Sequence, residues 1–100
     1  MERHPISGIV NGEEVLYFPT RLCQNYRYGL SGMAHKVYLM ILEDCAEKKS
    51  YLTKLTNKEL AEKSRASESS IKRALKDLEK YHFIERDYSG SIREIKLLDY

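Results

Sequence analysis

The stretch 56–81, TNKELAEKSRASESSIKRALKDLEKY, reads as two short helices joined by a tight turn. Thr56 and Glu59 stand at the T-x-x-E spacing of a capping box, in which each side chain satisfies a backbone N–H at the helix start. Leu60 and Ala61 follow as the apolar residues of a short first helix. The pattern breaks at Ser64-Arg65-Ala66-Ser67. Ser67 suits the N-cap of a second helix, and Glu68 falls in its first turn, where the macrodipole favours an acid. Ile71, Ala74, Leu75 and Leu78 then recur at i, i+3, i+4 and i+7, one apolar stripe facing inward.

The residues left outside that stripe are the informative ones. At about 100° per residue, Ser69, Arg73, Lys76 and Lys80 lie opposite it, with Lys72 on its flank. From Lys63 to Lys76 there are five cations and one acid, a net of +4, whereas the whole chain carries +2. Positive charge is thus concentrated on one helix and the turn before it. Such a helix suits a DNA major groove, where cations neutralise phosphates and Ser, Arg and Lys reach base edges. The alternative is an ordinary solvated helical hairpin of a small α domain.

The stretch resembles the helix-turn-helix of winged-helix DNA-binding proteins, through Leu60-Ala61, Ser67, Ile71 and Leu75. It departs from that pattern at two positions. Arg65 occupies the turn position usually held by Gly, and Ser64 the position before it, usually apolar. A positive φ at Arg65 would cost on the order of 1 kcal/mol.

One hundred residues make one domain, residues 1–100. No apolar run approaches the ~18–20 residues that cross a bilayer, and the N-terminus MERHPISG lacks signal-peptide character. Cys23 and Cys45 are the only cysteines, so the expectation is a reduced, cytoplasmic protein. The isoelectric point near 8.5 permits nucleic-acid binding without arguing for it; the clustering does that.

Upstream, Asn11-Gly12 between apolar-rich segments 6–10 and 13–18 predicts an N-terminal β-hairpin, because both residues tolerate the positive φ of a type I′ turn. A lone hairpin is marginal in water, so it must rest on the domain, on a second copy or on a partner. Pro19 ends the second strand, and residues 20–23 suit one helical turn. Tyr26 and Tyr28 flank Arg27 in a loop and would either stack nucleobases or pack on the core. Ser31 caps a scaffold helix over 32–48, with Ala34, Val37, Tyr38, Ile41 and Cys45 as its stripe and Leu42 widening it. His35 with Cys23 and Cys45 lacks metal-ligand spacing, so no metal and no cofactor is expected.

Residues 50–55 read as a short strand entering Thr56. Segments 83–87 and 92–98 read as strands around a turn at 88–91, a wing directly after the recognition helix. Its tip carries Tyr88, Ser89 and Ser91, with Arg86 and Arg93 near the base, and Glu85, Asp87 and Glu94 dilute its charge. The expected fold class is α+β, a winged helix-turn-helix of about three helices and a small antiparallel sheet. Its parts are the hairpin (1–18), a helical core (31–82) and the wing (83–98). The candidate DNA contacts are Arg65, Ser67, Ser69, Ser70, Lys72, Arg73 and Lys76 on the helix-turn-helix, and Ser89 and Arg93 on the wing.

From Tyr17 to Leu98, about four-fifths of the chain, the sequence is similar to the N-terminal domain of RepA-type replication initiators of plasmids. Tyr17-Phe18-Pro19, Arg27-Tyr28, Leu30-Ser31, Ala34, Tyr38, Thr56, Glu59-Leu60, Ile71-Lys72-Arg73-Ala74-Leu75, Leu78 and Phe83-Ile84-Glu85-Arg86 carry the likeness. It implies origin recognition, often by dimers on repeated sites. Those initiators have a further domain, so the chain is expected to be either an excised domain or a small protein with a replication partner. Three functions follow: a replication DNA-binding module of a plasmid, phage or other mobile element, a transcriptional repressor, or an interaction subunit of a polymerase or helicase with weak or single-stranded DNA binding. No nucleophile-base pair, Gly-rich phosphate loop or paired carboxylates suggests an enzyme.

Overall fold

The computed structural model describes residues 4–22, 29–98 and 100. Cys23, Tyr26, Arg27 and Tyr28, and with them the base-stacking expectation, lie outside the described residues.

Local chemistry sets each helix start. In α1 (Gly32–Lys48) the Ser31 Oγ accepts from the Ala34 N–H at 3.1 Å. In α2 (Asn57–Ser64) the capping box is closed both ways: the Glu59 N–H donates to Thr56 Oγ1 and the Thr56 N–H to Glu59 Oε1, each at 3.1 Å. In α3 (Glu68–Lys80) Ser67 Oγ accepts from the Ser70 N–H at 3.1 Å.

Two helix ends are held from a distance. Lys36 Nζ on α1 donates to the Ser64 carbonyl at the end of α2, 2.9 Å away. Arg21 donates to the Tyr81 and His82 carbonyls at the end of α3, each at 2.6 Å, with its guanidinium 3.8 Å from the centre of the Phe83 ring. Both place a cation where the helix dipole is negative.

The turn between α2 and α3 shows how the two unusual residues fit. Arg65 takes the left-handed conformation (φ 55°, ψ 45°), and the Ala66 N–H closes back on the Ala61 carbonyl at 3.0 Å. Ser64 is buried, yet its hydroxyl donates to the Leu60 carbonyl at 2.7 Å, so a polar residue sits at an apolar position without an unsatisfied group.

The first hairpin pairs β1 (Ser7–Val10) with β2 (Glu13–Leu16), with Val10 opposite Glu13 across Asn11 (φ 52°) and Gly12 (φ 80°). Both φ values are positive, as the type I′ turn requires. The base rests on the domain: Ile6 is buried, and Leu16 packs on the core beside α1. The tip stands away, leaving Ile9 and Val10 exposed.

A separate antiparallel sheet has the order β3–β5–β4, from β3 (Leu52–Thr53), β4 (Ile84–Asp87) and β5 (Glu94–Leu97). These strands are shorter than the sequence pattern predicts. Residues 88–93 form the connection between β4 and β5, where the Ser89 N–H donates to Asp87 Oδ1 at 2.8 Å and Arg93 turns toward α2.

The core lies where α1 meets α2, α3 and the sheet. Tyr38, Ile41 and Leu42 of α1 meet Leu60, Ile71, Leu75 and Leu78, with Ile84, Ile95 and Leu97 from the strands. Tyr38 and Phe83 stack obliquely, ring centres 5.2 Å apart. Cys45 is fully buried, and burial pushes its thiol up to about 12, which makes it a small apolar group rather than a nucleophile. Beside it, buried Asp44 accepts from the Thr53 hydroxyl and from Lys48. The whole is an α+β layout compatible with a winged helix, carrying an N-terminal β-hairpin. Among the described residues, no helix is long and apolar enough to cross a membrane.

Candidate nucleic-acid interface

Helix α3 buries Ile71, Ala74, Leu75 and Leu78, and that stripe fixes which residues turn outward. Ser69, Lys72, Arg73, Lys76 and Lys80 are all exposed. Among the described residues none of these four cations makes an ion pair. The acids of α3 stand to the sides. Glu79 is drawn away by the wing: Arg86 donates to it from its guanidinium at 2.9 Å and from its backbone N–H at 3.1 Å. The guanidinium hydrogen bond holds the Glu79 carboxyl below its ordinary value.

Of the other helix-turn-helix candidates, Arg65 and Ser67 are exposed at the turn and at the head of α3. Ser67 is engaged as the N-cap, and its Oγ lies 3.0 Å from that of half-buried Ser70. Ser69, Lys72, Arg73 and Lys76 therefore share the outward face of α3, with Arg65 exposed at the turn before it and Ser67 at the helix head.

The wing candidates differ. Ser89 is exposed, but its backbone N–H belongs to the Asp87 turn. Arg93 is half-buried, and its guanidinium donates to Asn57 Oδ1 and to the Leu55 carbonyl. It ties the wing to the start of α2 instead of pointing at solvent. Lys96 pairs with Asp87 at 3.1 Å. Hydrogen bonds from Ser89 and Lys96 hold the Asp87 carboxyl down at about 2. Every cation of the wing thus has a protein partner. Its tip exposes two large apolar side chains beside Ser89 and Ser91: Tyr88 at 65% and Ile92 at 54%.

Sequence reasoning did not single out Lys54 and Lys58. Both are exposed beside the start of α2 and line a groove with Tyr88 and Ile92. Their only sequence signal is position next to the capping box. A larger groove, about 460 Å³, lies at the base of the first hairpin. Its described lining is mainly aromatic and proline, with His4 and no Lys or Arg, so it lacks what a polyanion needs. No group of three or more His, Cys, Asp or Glu among the described residues is placed to hold a metal ion.

A comparison with protein-family models matches none, and comparisons with curated proteins and with solved structures find no match either.

Proposed function

We propose that the protein is a cytoplasmic duplex-DNA-binding module that acts in replication of a plasmid, phage or other mobile element. Helix α3 lies in the major groove. One observation carries the reading: the outward face of α3 holds Lys72, Arg73, Lys76 and Lys80, all exposed, with no acid among them and with no ion pair among the described residues. Phosphates supply what such a face lacks, and the same side chains reach base edges. The replication role rests on the sequence likeness to RepA-type initiators. A repressor would use the same face, and the location of its DNA site separates the two.

A salt titration with random duplex, single strand and DNA from beside its own gene tests the reading. Expected are sequence-dependent duplex binding and a steep fall of affinity with salt, about 0.9 in logarithmic slope per phosphate contacted. Binding indifferent to sequence, or stronger on single strands, supports the interaction subunit instead. The observation that favours that second reading is the wing, whose cations are all partnered and whose tip exposes Tyr88 and Ile92.

A further inference from the structure

We infer that the tip of the first hairpin, through Ile9, Val10, Glu13 and Glu14, docks into the groove between the wing tip and the start of α2 on a second copy of this chain. The contact uses no residue of the outward face of α3, so it stands without the duplex-binding reading above.

The hairpin tip is a small surface with two chemistries. Ile9 and Val10 belong to β1, and each lies opposite an acid of β2, Glu14 and Glu13 respectively. One strand of the tip is thus apolar and the other acidic. Ile9 is 70% and Val10 46% exposed. Both glutamates are exposed and form no ion pair among the described residues. The hairpin is anchored at its base, where Ile6 is buried and Leu16 packs on the core, and its own domain leaves the tip uncovered. Apolar side chains in water at the end of a two-stranded hairpin stabilise nothing until a second surface covers them.

The groove repeats the division with the opposite charge. It measures about 340 Å³. The wing supplies its apolar lining, exposed Tyr88 and Ile92, and the approach to α2 supplies exposed Lys54 and Lys58. Neither lysine forms an ion pair among the described residues. Arg93 adds a positive charge already engaged with Asn57 and the Leu55 carbonyl, and Glu68 is the one acid in the described lining. With β1 against Tyr88 and Ile92 and β2 against the lysines, apolar surface leaves water on both copies and each acid gains a cation. The complement of the groove is the chain's own hairpin, which names a second copy as the occupant. The contact joins two different surfaces, so a pair keeps one open hairpin and one open groove to which further copies add.

Sedimentation equilibrium of the full chain at low salt tests the contact. The average mass is expected to rise with concentration above the 11.7 kDa of one chain, and to fall back as salt screens the pairs. Glu13→Lys with Glu14→Lys, and separately Lys54→Glu with Lys58→Glu, are each expected to weaken self-association about tenfold, by setting like charges against each other. An equimolar mixture of the two reversed variants is expected to restore it, because each hairpin then meets a groove of opposite charge. Adding Ile9→Ser and Val10→Ser to both variants is expected to abolish the restored association. All six side chains are exposed, so an unchanged melting temperature shows an intact fold, and either reversed pair carries the test if the other does not fold. A single-chain mass at every concentration overturns the inference. Self-association that both reversals leave unaltered overturns it in favour of another surface. A restored mixture indifferent to the serines overturns it as general attraction between oppositely charged chains.

Discussion

Helix α3 and the β4–β5 hairpin follow one another in the chain, and both are rich in cations, but they use them in opposite ways. On α3 the cations make no ion pair among the described residues, because the helix is positioned by its other face, where Ile71, Ala74, Leu75 and Leu78 are buried. On the hairpin, charge replaces part of that burial. Arg86 binds Glu79 of α3, Lys96 binds Asp87, and Arg93 reaches across to Asn57 and the Leu55 carbonyl. A cation is available to a ligand only where something else holds the backbone in place. Counting Lys and Arg therefore overstates the wing and not the helix.

The largest expected effect tests the part of α3 that frees its cations. Leu75→Ala should cost about 2–5 kcal/mol in denaturant unfolding, because the side chain is fully buried and leaves a cavity. A loss below about 1 kcal/mol would mean that the stripe does not anchor the helix. Arg93→Ala should come next, at about 2 kcal/mol. It removes two hydrogen bonds and leaves acceptors at Asn57 and Leu55 without their donor. A neutral result there would erase the difference between helix and wing.

Arg73→Ala and Lys76→Ala should behave in the reverse sense. Each is expected to leave stability within about 0.5 kcal/mol and to weaken duplex binding about threefold to tenfold. Unchanged affinity in both, with unchanged melting temperature, would sink the assignment of α3 as the reading helix.

The smallest effect is in acid. Both Glu79 and Asp87 have carboxyls held below their ordinary values of 4.5 and 3.8. A depressed carboxyl stabilises the fold above its unfolded value, and that contribution is lost as pH falls through the folded one. The wing contacts should loosen from about pH 4.5 downward, with the Ser89 amide resonance following Asp87 to a midpoint of about 2. Glu79→Gln should flatten the upper part of that acid limb by under about 1 kcal/mol, since the pair is solvent-screened. An acid limb identical to that of the unaltered protein would show that the Arg86–Glu79 pair contributes nothing to seating the wing.

What the sequence made legible was local. The capping residues Ser31, Thr56 and Ser67, the Asn11-Gly12 turn and the stripe of α3 all act within a few positions, so pattern alone reveals them. Arg93 was illegible as a tie because its partners lie 36 and 38 residues earlier. Lys54 and Lys58 belong to a groove that exists only once the wing folds back on α2. Strand lengths were overestimated at 50–55 and 92–98 for a related reason. Alternation marks residues able to join a sheet, while pairing stops where the partner strand leaves, as at Arg93. Ser64 teaches the opposite lesson: a substitution that looks unfavourable by type is accommodated by one backbone acceptor in its own helix.

The grip of Arg21 on the end of α3 also has a consequence in time. The N-terminal end of that helix is closed by Ser67 within three residues, a contact that forms as fast as the helix itself. The Tyr81 and His82 carbonyls just past its C-terminal end take their donor from 60 and 61 residues away, and closing so long a loop carries an entropic cost that local contacts do not. The last turn of α3 is closed locally, by the Tyr81, His82 and Phe83 N–H groups on the Asp77, Glu79 and Leu78 carbonyls, so the long loop adds only the outermost clasp.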